Sequence, residues 1–128
     1  MEPNFENALS FASDLIQIPS LSGREREVAK RLLDEMEALG FEQMKVDEVG
    51  NVMGVIPGAG QAPPIMFNCH LDVVAEGDHS EWDFAPWGGD ISGGFLHGRG
   101  SMDIKGPLAL QTHVAASMRG QSQGDLIV

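Results

Sequence analysis

Disulfides, membrane spans and a basic surface are all missing from this 128-residue sequence. Its single cysteine, Cys69, excludes an intrachain disulfide framework and any Cys-x-x-Cys zinc site, which accords with a reducing compartment. No apolar run approaches the roughly 18 residues of a membrane span. The opening Met1-Glu2-Pro3-Asn4-Phe5-Glu6 carries acids where a secretory signal carries bases, so the sequence reads as cytoplasmic. Basic residues are scarce. Eight Lys and Arg against 19 Asp and Glu leave a formal net charge of -11, which repels phosphate backbones and anionic lipid. Neither nucleic acid nor a membrane is an expected partner. An H-E-x-x-H helix is absent, and so is a phosphate-binding loop, since Lys105 precedes Gly106 and Pro107 where that loop requires Gly-Lys followed by Ser or Thr.

What is present fits one globular domain: 42% hydrophobic and 21% charged residues, at a length within the usual range of about 100–200 residues. Glycine stands out, with 16 residues against an average near 7%, most of them between residues 50 and 106, which points to shaped loops.

Phe5, Leu9, Ala12, Leu15 and Ile16 recur at helical spacing until Pro19 stops the pattern. Ser22 and Glu25 form an S-x-x-E capping box ahead of Val28, Leu32, Leu33, Met36 and Leu39, with Gly40 as the C-terminal cap. Met44 and Val46, then Val52, Met53, Val55 and Ile56, flank a Val49-Gly50-Asn51 turn and predict a hairpin. Ile65 to His70 reads as a buried strand that ends where polar residues begin, which would place His70 at the strand edge where ligands gather in open α/β sheets. A second hairpin turn is expected at Gly93-Gly94, between Ile91 and Phe95-Leu96. Pro107 is tolerated in the first turn of a third helix whose apolar stripe is Leu110, Val114 and Met118 and which Gly120 ends. Leu126-Ile127-Val128 opens another buried strand. The elements together predict an α/β domain with a mixed, largely parallel sheet flanked by helices.

Two clusters could carry chemistry. His70 and Asp72, at i and i+2 in extended chain, point to one face. Asp103 stands among glycines in Gly98-Arg99-Gly100-Ser101-Met102-Asp103-Ile104-Lys105-Gly106, just before a helix. Imidazole nitrogen and carboxylate oxygen both suit zinc, and one carboxylate can serve two ions roughly 3.5–4 Å apart, with Asp72 free to orient the His70 ring. Spacing alone leaves open the blander reading of a strand-end histidine bonded to backbone.

The ordered strings Cys69-His70-Leu71-Asp72-Val73-Val74, Trp82 and Pro86, and Leu96 through Gly106, together with Pro19-Ser20-Leu21-Ser22-Gly23, resemble the zinc peptidase family of acetylornithine deacetylase, succinyl-diaminopimelate desuccinylase, aminoacylase and carboxypeptidase G. The resemblance implies a zinc-exopeptidase-like catalytic domain in which His70 ligates one metal, Asp103 bridges two, and Asp72 orients His70. It also implies two zinc ions, with cobalt or manganese as alternatives, and hydrolysis of amide bonds in N-acyl amino acids or short peptides by a homodimer. In that family the general base is the first of two adjacent glutamates on a later strand, followed by further ligands and a dimerisation domain. Residues 1–128 are accordingly expected to be the N-terminal portion of the catalytic domain, ending before the glutamate pair and inactive alone. The competing expectation is a non-catalytic segment that keeps the scaffold and binds metal weakly or not at all. Lys105 and Arg99 are expected as ion-pair and hydrogen-bond partners that shape the loop, His97 as a packed residue, His113 as a packed or exposed helix residue, His79 as solvated loop, and Cys69 as a small buried residue facing away from His70.

Overall fold

Asn4 opens the first helix by accepting a hydrogen bond from the Asn7 amide, 3.0 Å away, which satisfies one of the first-turn donors that the helix cannot. In the computed structural model, which describes residues 3–128, α1 spans Phe5–Ile16 and ends just ahead of Pro19. Its buried face is Ala8, Phe11, Ala12, Leu15 and Ile16. Phe5 and Leu9, expected on that face, are exposed: Phe5 belongs to the first turn, ahead of the buried stretch, and Leu9 lies at the margin of the stripe.

The capping box expected at Ser22 and Glu25 forms only in part. Glu25 accepts from the Gly23 amide at 2.8 Å, but α2 (Arg26–Ala38) begins later than the box implies, with Glu25 itself at the N-cap and no side chain capping it, and the Ser22 hydroxyl is engaged elsewhere. The far end follows expectation. The amides of Gly40 and Phe41 donate to the carbonyls of Glu37 and Met36 at 3.0 and 2.9 Å, the pattern of a left-handed cap. Next come β1 (Glu42–Val46) and β2 (Val52–Ile56), paired as the expected hairpin. Its turn is built by Asp47, whose carboxylate accepts from the Asn51 side chain and from the amides of Asn51 and Val49 at 2.7, 2.9 and 3.0 Å.

The strand expected from Ile65 to His70 is shorter and more exposed than its apolar sequence suggests. β3 covers Ile65–Met66 alone, with both residues exposed, and His70 lies beyond it in irregular chain. β4 (Ile91–Ser92) and β5 (Phe95–Leu96) form the second hairpin, with Gly93 and Gly94 at φ 57° and 83°, as a two-residue turn that follows strand twist requires.

The third helix, α3 (Gly106–Ser117), buries Leu108, Ala109, Thr112, His113, Ala115 and Ser117. The expected stripe is instead the outer one, with Leu110 and Met118 exposed. α3 packs on α1 and shares its core with Ile56, Leu126 and Val128 through Leu108, Ala109 and Ala115, with His113 beside Phe11 of α1. Last is β6 (Leu126–Ile127), which lies inside the sheet rather than at its rim, in the order β1-β2-β6-β3.

The sheet is mixed and flanked by helices. Within it β3 and β6 pair in parallel, while β1 with β2 and β2 with β6 are antiparallel, so parallel pairing is the smaller share here. β3 has a neighbour on one side only, and the helices cover β2 and β6, which explains why an apolar strand stays exposed.

Two outcomes are expected from this packing. Ala109→Leu should overpack the α1–α3 contact and lower stability by about 1–3 kcal/mol, whereas Leu110→Gln should stay within about 0.5 kcal/mol. Chemical denaturation giving the reverse order would return the buried face to Leu110. The second concerns pH. Bonds from the Asn51 side chain and backbone, with those from Val49 and Gly50, hold the Asp47 pKa below its ordinary 3.8. A depressed folded pKa means stability that is present above the unfolded value and lost as pH falls through the folded one. Asp47→Ala should therefore lower the melting temperature at neutral pH, and the gap to the parent should close in acid. A gap that persisted unchanged at the lowest pH would remove the carboxylate from the account.

Candidate metal centre

The connector between α1 and α2 holds the segment that carries His70. Ser20, fully buried, donates its hydroxyl to the Leu71 carbonyl at 2.8 Å, and the Val73 amide donates to the Ser20 carbonyl at 2.8 Å. Leu21 and Val73 form a parallel bridge, and the Ser22 hydroxyl donates to Asp72 Oδ2 at 2.5 Å. On the segment so fixed, His70 Nδ1 lies 2.8 Å from the Asp72 carbonyl and 3.3 Å from Asp72 Oδ1. With two oxygens against it Nδ1 is the donor, and Nε2 faces the second half of the site. Cys69 is half-buried against the core, and burial pushes its thiol pKa up.

Asp103 comes from an irregular turn between Gly100 and α3. Gly100 sits at φ 86°, and a side chain there would run into Val73 and Lys105, so the turn needs glycine for both conformation and space. The Lys105 amide closes the turn on the Gly100 carbonyl at 2.7 Å. Asp103 and Ile104 leave helical geometry, and the peptide bond between them is cis. Asp103 Oδ1 arrives 2.9 Å from His70 Nε2, while its side chain remains 83% exposed, open to further ligation.

Lys105 anchors this turn in an unexpected way. It is fully buried, with Nζ 2.6 Å from the Ile18 carbonyl and 5.9 Å from the centre of the Trp87 ring. Burial pushes its pKa down to about 8. The ion pairs expected for Lys105 and Arg99 are not found among the described residues: no carboxylate lies within 4.0 Å of either. The ammonium is served instead by the Ile18 carbonyl, on the connector just past α1, and by an aromatic face. Arg99 lies over Trp82 at 5.0 Å, and its amide donates to the Pro86 carbonyl at 2.7 Å. Ile18 and Ser20–Ser22 of one connector thus hold both halves of the site.

The resulting charges support each other. Partial burial opposes charge on His70, yet the Asp72 carbonyl and the carboxylates of Asp103 and Asp72 together hold its pKa above the ordinary value. The Ser22 hydroxyl, helped by the His70 charge, holds Asp72 below the usual carboxylate range against the opposing effect of desolvation.

The other histidines stay outside. His97 stacks on Phe84 with ring centroids 3.6 Å apart. His113 is buried and meets Glu35 at 2.9 Å, in a chain through Arg31 to Asp14 that ties the three helices together. His79 pairs in the open with Glu76, whose pKa is lowered to about 2 by that bond, by its own backbone and by Trp87.

Residues 66–128 match Peptidase family M20/M25/M40. Over 93% of its length the chain is 36% identical to the succinyl-diaminopimelate desuccinylase of Bradyrhizobium diazoefficiens, covering 33% of that protein. Residues 66–128 carry the pattern of this peptidase family. The fold agrees. A di-peptidase from Saccharomyces cerevisiae superposes with a TM-score of 0.78 at 19% identity, over 95% of this chain and 31% of that one. An M20 family metallo-carboxypeptidase from Sulfolobus solfataricus gives 0.71 at 22% identity, over 94% and 29%. The chain spans about a third of the length of that desuccinylase and of both structures.

Metal dependence is a property of the family, and the donor chemistry here is compatible with it. An imidazole nitrogen and a carboxylate oxygen converge, both of them metal-seeking types. They are two donors rather than a full shell: among the described residues no group of three or more His, Cys, Asp or Glu side chains is arranged to hold an ion. Asp72 does not add a third, because its oxygens serve His70 Nδ1 and Ser22. No residue-type pattern marked Ser20 and Ile18 as parts of the site, and S-x-x-E drew Ser22 toward the helix.

Proposed function

We propose that the chain is the N-terminal portion of a metal-dependent hydrolase that cleaves amide bonds of N-acyl amino acids or short peptides. The observation that supports this most directly is the convergence of His70 Nε2 and Asp103 Oδ1 from two segments 33 residues apart. In this reading both residues hold zinc, Asp103 with an oxygen to spare for a second ion, and Asp72 keeps the His70 ring turned. The metal would supply Lewis acidity to polarise a carbonyl and acidify water. The protein's own part is geometric: the Asp72 carbonyl accepts from Nδ1–H with the Asp72 carboxylate alongside, which keeps the proton on Nδ1 and directs the Nε2 lone pair at the metal position. The Ser20 and Lys105 anchors keep the two donors facing each other. A general base and further ligands would lie beyond residue 128, so the chain alone should not turn over amides.

Named relatives support the substrate class only in outline, as a desuccinylase and a di-peptidase. A homodimeric whole enzyme and a cytoplasmic setting complete the proposal. For the latter, the support is a free Cys69 and, among the described residues, no helix long and apolar enough to cross a membrane. One observation favours a second reading, that of a non-catalytic segment: the donors present do not make a three-ligand group.

Zinc titration followed by NMR tests the assignment of His70 and Asp103. Zn(II) should shift the His70 ring nitrogens and Asp103 signals of this chain with weak affinity. His70→Ala and Asp103→Ala should each abolish that response, and Asp72→Asn should weaken it by about 10–100-fold, as for other residues that orient a ligand. Removal of zinc by a chelator should reverse the shifts. Absence of any response at His70 and Asp103 would favour the non-catalytic segment, and amide turnover by the 128-residue chain would overturn the missing base.

A further inference from the structure

We propose that Ser22 is a positioning residue for His70, acting through the Asp72 carboxylate. The inference rests on His70 and Asp72 playing the parts assigned above, and it concerns what keeps Asp72 in place. A carboxylate on partly exposed chain turns easily, because the terminal torsion of aspartate is broad. The Asp72 side chain is 39% exposed, and its two oxygens have separate partners: Oδ1 lies 3.3 Å from His70 Nδ1, and Oδ2 accepts from Ser22 at 2.5 Å. The second bond sets the plane of the carboxylate and so keeps the first oxygen on the ring.

Position speaks for this use of Ser22 rather than for a helix cap. It stands three residues ahead of Glu25 in a capping pattern, yet no side chain caps α2. Around it the connector is already fastened to the same segment by Ser20 to Leu71, Val73 to Ser20 and the Leu21–Val73 bridge. The backbone therefore registers Ser22 against Asp72 before the side chains meet. Loss of the hydroxyl would leave that backbone register intact and free only the carboxylate. His70 Nδ1 would then retain the neutral Asp72 carbonyl and lose the oriented anion, which weakens its hold on the proton.

The test reads the His70 ring in the metal-free protein, at a pH where the ring is protonated and both N–H groups exist. Nδ1–H reports the Asp72 side, and Nε2–H, which donates to Asp103, is an internal reference. Ser22→Ala should raise the water-exchange rate of Nδ1–H several-fold and leave that of Nε2–H unchanged, and Ser22→Thr, which keeps a hydroxyl, should restore the parent rate. In an Asp72→Asn background, Ser22→Ala should add no further effect. Equal acceleration at both nitrogens would mean general loosening and would overturn the proposal. So would an unchanged Nδ1–H, or an undiminished effect in the Asp72→Asn background. No metal is needed for this spectrum, so failure of zinc to bind would strike the metal reading alone, and a null ring result beside normal zinc binding would strike Ser22 alone.

Discussion

The Lys105 ammonium, closed away from solvent on the Ile18 carbonyl, is the constraint on which the site depends. A buried cation without a carboxylate is costly, by several kcal/mol for an ion that finds no compensation. Here compensation comes from the Ile18 carbonyl, on the connector just past the end of α1, and from the face of Trp87. Each of these belongs to a part that must be in place for Asp103 to be presented: the connector behind α1 and the long glycine-rich loop. The turn is two residues from Asp103 to Lys105, so where the ammonium is fixed the carboxylate is fixed too.

The same connector reaches the other donor by different means. Ser20 and Leu21 fasten the Leu71–Val73 backbone, and Ser22 reaches Asp72. Neither donor rides on regular structure: His70 lies past the end of β3, and Asp103 lies before α3 begins. A site built on irregular chain needs supports outside its own segments, and a short connector held at both ends provides them. Catalytic and ligating groups are often carried on loops set by a rigid scaffold, and here the scaffold contacts can be named one by one.

Local chemistry was legible in the sequence where one segment decides the outcome. The Gly40 cap, the turn at Gly93-Gly94 and the hairpin around Val49-Gly50-Asn51 follow from glycine conformation and short-range hydrogen bonds. Readings failed where a partner elsewhere in the chain decides. Leu110, Val114 and Met118 look like the buried stripe of α3, but the face packed inward is that of Leu108, Ala109, Thr112 and Ala115. Ile65 to His70 looks like a buried strand, yet an edge position leaves it exposed. Ser22 fits a capping box and serves Asp72 instead, and Lys105, read as an ion-pair partner, is buried against a carbonyl. His70, Asp72 and Asp103 could be singled out as candidates from motif resemblance, and their mutual contacts are what the fold adds.

If one connector truly couples the two halves, releasing Lys105 must be felt at Val73, whose amide donates to Ser20 on the far half. Native-state hydrogen exchange on Lys105→Met measures this, with the Gly54 amide, bonded to Val128 in the sheet, as reference for global stability. The account predicts that Val73 loses protection relative to Gly54, together with the turn at residues 100–105. Loss confined to that turn, with Val73 and Gly54 unchanged, would show two independently held halves and contradict it.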